Sequence, residues 1–183
     1  MSGNDRLVEA AESIAESFGT GLGAILSIDP LTEDFNQADP GNYVLGKMYS
    51  RGQRTYVFCK EVANAVPGVA GDVAFHDDSG VRGEVTTDYS ENLADLLRPV
   101  GVYPNSPDDG NYFFLLVLGP YATVNNNGDD DITAGLDIIA TAADHGVVNA
   151  GARTLATGVG IAYEADVDGA NTVGVNVNCL ANW

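Results

Sequence analysis

The sequence predicts a mainly β fold: a small β-barrel or β-sandwich with a short N-terminal helix and an extended arm. Three observations carry this. Short β-branched and aromatic runs recur about every 8–14 residues, the rhythm of sandwiches and barrels. Between them stand Gly, Asn and Asp, with 22 glycines in 183 residues, the chemistry of tight turns and barrel corners. Only one stretch, close to the N-terminus, has a convincing helical period. The expected division is residues 1–42 as helix and arm and residues 43–183 as the β-rich domain.

Taken in order, Asp5 to Phe18 places Leu7, Ala10, Ala11, Ile14, Ala15 and Phe18 at three- and four-residue spacing, one thin apolar stripe on a helix. Asn4 or Asp5 can cap it and Gly19 can end it. Ala24 to Ile28 reads as a short strand. Asp29-Pro30 and Asp39-Pro40-Gly41 are turn signals, with Leu31 to Ala38 an extended arm or irregular loop between them. Strands are then expected at Val44–Tyr49, Thr55–Lys60, Val73–His76 and Gly83–Thr87, with the turn Asp77-Asp78-Ser79-Gly80 before the last. Asn92 to Leu97 suits one helical turn stopped by Pro99. Arg98 to Tyr103 suits a strand as well.

Tyr112 to Leu118 is the most apolar segment. It does not alternate, so it is expected to be covered on both faces. Gly119-Pro120 is expected to turn the chain before a short strand at Tyr121–Val124. Asn125 to Asp131 reads as a polar loop, and strands follow at Leu136–Ala140, Val147-Val148 and Val159–Tyr163, with a His145-Gly146 turn before the second. Asp166-Val167-Asp168-Gly169 reads as a hairpin turn. Thr172 to Leu180 alternates cleanly, with Val173, Val175, Val177 and Cys179 on one face.

Charge narrows the partners. Lys and Arg number 8 against 26 Asp and Glu, a formal net charge of −18. Residues 1–98 hold 16 acids and 7 bases, and residues 99–183 hold 10 acids and 1 base, Arg153. Such a chain lacks the basic footprint for nucleic acid or for an anionic membrane surface. Its most apolar segment falls far short of the roughly 20 residues of a membrane span. The N-terminus shows no basic region followed by an apolar one, so no signal peptide is expected. A protein with a basic or apolar facing surface remains a fitting partner.

Chemistry finds no template. Cys59 and Cys179 are too few for a disulfide framework or a Cys-based zinc site and read as buried free thiols. His76-Asp77-Asp78-Ser79 contains the residue types of a triad, but a triad needs spatial convergence rather than adjacency. Glu164 to Gly169 imitates the start of a calcium loop, yet Val175 stands where the acidic twelfth ligand belongs. Asp129-Asp130-Asp131 reads as a solvated acidic run. The close glycines Gly19, Gly21 and Gly23 miss the dinucleotide spacing and follow no strand. No catalytic residue, cofactor or metal is therefore expected, and the chain is not read as an enzyme.

From about Gly46 onward, an order of short motifs adds to this reading. Val69-Ala70-Gly71-Asp72-Val73-Ala74 comes first. Gly110-Asn111-Tyr112-Phe113 runs into Leu118-Gly119-Pro120 and Tyr121-Ala122-Thr123-Val124. Thr133-Ala134-Gly135-Leu136, then Gly158-Val159-Gly160-Ile161-Ala162-Tyr163-Glu164, then the Val173–Leu180 strand complete the order. This order resembles the head decoration, or capsid cement, proteins of tailed bacteriophages. The resemblance implies a structural virion protein on the outer surface of the capsid head, bound to the major capsid protein and homo-oligomeric, with a trimer favoured. It implies no catalytic residue. Leu7, Ile14 and Phe18 on the helix stripe and Phe113, Leu115 and Val117 on the apolar strand are the candidate subunit or capsid contacts. The alternative is a β-rich receptor- or glycan-binding module of a phage fibre or spike.

Overall fold

Two stretches decide the architecture, because each has apolar residues at both odd and even positions. Along Arg54–Glu61, one face carries Tyr56 and Phe58 and the other Val57 and Cys59. Along Tyr112–Leu118, Phe114 and Leu116 alternate with Phe113, Leu115 and Val117. All nine of these side chains are buried. A strand of this kind needs a layer on each side, and the fold supplies both.

The computed structural model describes residues 24–62, 67–88, 98–126, 128, 131–141, 148–151, 157–166 and 171–183. In chain order its strands are β1 (Ala24–Ile25), β2 (Met48–Arg51), β3 (Arg54–Glu61), β4 (Val73–His76), β5 (Glu84–Thr86), β6 (Pro99–Val102), β7 (Tyr112–Asn125), β8 (Asp137–Ala140), β9 (Val148–Ala150), β10 (Gly158–Ala162) and β11 (Thr172–Asn178). A 3-10 turn, Leu180–Asn182, follows β11. The fold is mainly β, as the sequence predicts. The helix expected over Asp5–Phe18 and the helical turn expected over Asn92–Leu97 lie outside the described residues.

A closed five-stranded barrel forms the centre. Its circuit runs β3–β5–β4–β6–β7, and β7 returns to β3. Register places Val57 opposite Leu115 and Cys59 opposite Phe113, so these residues face the interior together with Ala74, Val85, Val100, Tyr103 and Val117. Side chains fill the barrel, as expected for so few strands.

The opposite face of β3 and β7 is covered by the arm. Phe35 sits edge-on to Tyr43, Phe58 and Phe114, with ring centroids 5.4, 5.8 and 5.2 Å away. Edge-to-face pairs of this kind contribute about 0.5–1.5 kcal/mol each beyond area burial. Gln37 and Tyr112 exchange both backbone hydrogen bonds, at 3.2 and 2.8 Å. The described part of the arm, residues 24–42, therefore lies against the barrel.

A second sheet, β7–β11–β10–β8–β9, extends from the barrel. An isolated bridge between Asn126 and Val148 brings β9 back to the end of β7, so this sheet curls on itself. Its inner face is aliphatic, with Val124, Ile138, Ala140, Val148, Val159, Ala162, Val173, Val175 and Val177. The alternation read along β11 holds.

The Gly119-Pro120 expectation is corrected. These residues do not end the strand; β7 continues through them and changes partners. Thr55 pairs with Leu118 at the end of the β3 ladder, while β11 pairs from Leu118 to Asn125. Gly119 has φ +115°, and a Cβ there would lie 2.7 Å from the Gln53 carbonyl oxygen. Only glycine permits that conformation and that approach. The expected Val44–Tyr49 strand also begins later, at Met48.

Candidate functional site

The candidate contact residues divide by position. Leu7, Ile14 and Phe18 lie outside the described residues. Phe113, Leu115 and Val117 are fully buried inside the barrel. They are core of this chain rather than an exposed contact face, because barrel closure turns the odd-numbered side of β7 inward. The exposed large apolar side chains are elsewhere. Ile161 on β10 is 43% exposed, and Tyr163, two residues on and on the same face, is 40% exposed.

One polar group breaks the apolar interior. The period of two along β3 puts Val57, Cys59 and Glu61 on the barrel side. Glu61 is fully buried. Its Oε2 accepts the Tyr103 hydroxyl at 2.6 Å, and its Oε1 accepts the Gly68 backbone N–H at 3.0 Å. The Tyr103 ring stacks on Phe113 at 5.0 Å and 8°. Gly68 presses on that ring from another side: a Cβ at this position would lie 2.5 Å from Tyr103 Cε1 and Cζ. The carboxyl, the phenol and the glycine thus make one packed assembly between the end of β3, the end of β6 and the β3–β4 loop.

The electrostatics follow from burial. Loss of water pushes the Glu61 carboxyl up to about 7, against the two hydrogen bonds, which favour its charged form; Asp109 and Asp72 push it further up. Burial and the neighbouring carboxyl hold the Tyr103 phenol well above its ordinary value. Burial also raises the Cys59 thiol, with Glu61 adding to the effect. Burial raises Asp72, opposed by the Val69 N–H and the Asn125 amide. The sequence reading did not single out Glu61. Its signal was an acid placed in step with Val57 and Cys59 on a strand apolar on both faces.

At the other end of β6, neutral groups close the barrel. Trp183 Nε1–H donates to the Val100 carbonyl at 2.6 Å, and the Asn182 amide donates to the Pro99 carbonyl at 2.7 Å. Leu180 and Trp183 pack against the barrel interior. The His76 ring meets the indole edge-on at 4.8 Å, with its Nε2 3.1 Å from the Asn182 carbonyl oxygen. Burial lowers the His76 pKa, partly offset by that carbonyl.

The other sequence candidates serve local structure. The Ser79 hydroxyl donates to Glu84 at 2.7 Å rather than meeting His76, and Asp77 accepts the Ser79 N–H at 2.8 Å, an Asx turn. The described residues flanking the two acidic stretches meet at Asp166. Asp166 accepts the Ile132 N–H at 3.2 Å and the Asn126 amide at 3.1 Å. Asp129, Asp130, Asp168 and His145 lie outside the described residues. Among the described residues, no group of three or more His, Cys, Asp or Glu is placed to hold a metal ion. Cys59 and Cys179 are both buried and not joined in a disulfide, as expected, and the Cys179 thiol donates to the Val159 carbonyl at 3.6 Å. No protein-family model matches the chain, and no curated protein matches it.

Proposed function

We propose that this chain is a structural virion protein that binds the outer surface of a phage capsid and cements neighbouring major capsid subunits. The observation that carries the reading is the motif order from Val69 to Leu180, set on a mainly β fold. The chemistry of the surface supports it. With a net charge of −18, the chain is repelled by packaged nucleic acid, which favours the outside of a shell. The apolar run of β7 is consumed as core, so contacts to a shell or to further copies of the chain fall to exposed side chains. Ile161 and Tyr163, side by side on the outer face of the second sheet, are the proposed contacts. A homotrimer is the proposed assembly.

The test mixes the purified protein with expanded shells that lack it. The expected result is co-sedimentation that saturates at a lattice-like stoichiometry and raises the temperature of shell disruption. Ile161→Ser with Tyr163→Ser should weaken binding at least tenfold while the free protein still unfolds cooperatively, destabilised by no more than about 2 kcal/mol, since both side chains are more than half covered and Tyr163 rests on Gly174. Absence of binding to every shell tried would overturn the reading and direct the next test to glycan recognition.

A further inference from the structure

We propose that copies of this chain meet on the outer face of the second sheet, with Arg54 at one flank of that face seated against Asp137 at the opposite flank of the next copy. The inference rests on the proposed homo-oligomer and names what covers Ile161 and Tyr163: a second copy of the chain. Their loss then weakens shell binding through lost avidity.

Register builds the face. Pro120 on β7 lies opposite Asn176 on β11, Asn176 opposite Ile161 on β10, and Ile161 opposite Asp137 on β8. Directly opposed residues share one side of a sheet, so these four form a row. The row is on the outer side, because the neighbours Tyr121, Val175, Ala162 and Ile138 are buried in the inner core. Asn176 is exposed. Tyr163 extends the apolar centre of the row from two residues beyond Ile161. Its ring tip rests on β11, where a Cβ at Gly174 would lie 2.7 Å from Tyr163 Cζ.

The two ends of the row carry opposite charges. At the β7 end, Arg54 Nε–H donates to the Pro120 carbonyl at 2.9 Å, which holds the guanidinium beside the row. Burial raises the Tyr163 phenol, Glu164 adds to the rise and the Arg54 charge opposes it. Among the described residues the ion pairs are Arg51 with Asp29 and Lys60 with Glu84, so Arg54 has no carboxylate partner there. At the β8 end, Asp137 is half-buried and likewise without an ion pair. Three strand spacings, about 14 Å, separate Pro120 from Asp137. That exceeds the Debye length of about 8 Å at physiological salt, so this cation and this acid do not satisfy one another within a chain. A rotation axis through the apolar centre sets the Arg54 flank of one copy against the Asp137 flank of the next, and the ring closes. Charge favours the same occupant. In a chain with 8 bases against 26 acids, an arginine without a carboxylate, beside apolar side chains, marks the place where another copy is attracted rather than repelled.

Sedimentation equilibrium of the full chain at physiological salt tests the contact. The wild type is expected to form a closed small oligomer. Arg54→Asp and Asp137→Arg should each weaken association roughly tenfold or more. The double substitution exchanges the two charges and should restore association to within about threefold of the wild type. Circular dichroism melting reports the folding of each variant. Should Arg54→Asp not fold for want of the Pro120 bond, Asp137→Arg carries the test alone, because it leaves that bond in place. Association indifferent to Asp137→Arg, or not restored by the exchange in a folded double variant, overturns the proposal. A wild type that stays monomeric up to millimolar concentration yet co-sediments with shells also overturns it and leaves the capsid reading standing. Charge-dependent association without shell binding supports the contact and overturns the capsid reading alone.

Discussion

At the Pro99 end of β6 the barrel is stopped by an indole whose N–H is given to a backbone carbonyl. At the Tyr103 end it is stopped by a phenol whose O–H is given to a carboxyl. The phenol is fully buried and the indole partly so, and in both closures the polar atom of the ring is satisfied. They differ in the acceptor. The Val100 carbonyl is neutral at every pH, whereas Glu61 changes charge. Two plugs of similar shape thus respond differently to the solvent. A barrel end needs apolar volume to be stable, but the chemistry of its one acceptor decides whether that stability depends on pH.

The largest effect expected is from Tyr103→Ala. The ring is fully buried and stacked on Phe113, and its loss leaves a cavity and an under-bonded carboxyl. The expected cost is about 3–5 kcal/mol, read by denaturant unfolding at pH 5, where Glu61 is neutral. A smaller cost than that of the matching change at Trp183 would invert the comparison. Next comes the pH dependence carried by Glu61. Its pKa is raised on folding, so its contribution is whole below about 4.5, erodes as pH rises toward 7 and is flat above. The span is of order 3 kcal/mol. The difference in stability between wild type and Glu61→Gln isolates it from the general self-repulsion of an acidic chain. A constant difference from pH 4 to pH 8 would show that Glu61 does not carry the term.

Much of this architecture was legible because turn chemistry and alternation are local. Val73–His76 and the Val173, Val175, Val177 face were readable from period and punctuation alone. The Gly119-Pro120 continuation was not, for a reason visible in the ladder. The Pro120 carbonyl accepts Arg54 Nε–H at 2.9 Å, so it points to the β3 side. The imide nitrogen points the same way, beyond the last β3 pair, where no N–H is required. Proline ends a strand only where a donor is needed, and that depends on where a distant partner stops. The same non-locality hid the role of Phe113, Leu115 and Val117. Burial on both faces could be inferred from the sequence, but not that the barrel itself supplies the cover. Glu61 was hidden too, because only closure turns its face of β3 into an interior.

The Pro99 end should answer more weakly. Trp183 is partly buried rather than enclosed, so Trp183→Ala is expected to cost about 2 kcal/mol, below the range for a fully buried aromatic. The smallest effect concerns His76, which tests whether this end is truly indifferent to pH. Replacing His76 by Gln removes one edge-on ring contact with Trp183, about 0.5–1 kcal/mol at pH 8. The sign of its pH dependence is opposite to that of Glu61. Burial lowers the His76 pKa below its ordinary 6.5, so the unfolded chain takes up the proton first. The His76 contribution is therefore whole above 6.5 and declines as pH falls below it. Calorimetric melting at pH 8 and pH 5 should show the gap between wild type and His76→Gln narrowing toward acid. The Glu61 contribution falls with pH while the His76 contribution rises, so between about 4.5 and 6.5 the two slopes oppose each other and the net pH dependence of the barrel is weaker than that of either end alone. A gap that widens toward acid would mean that the Asn182 carbonyl, which favours the imidazolium, outweighs burial, and both ends would then weaken in the same direction as pH rises.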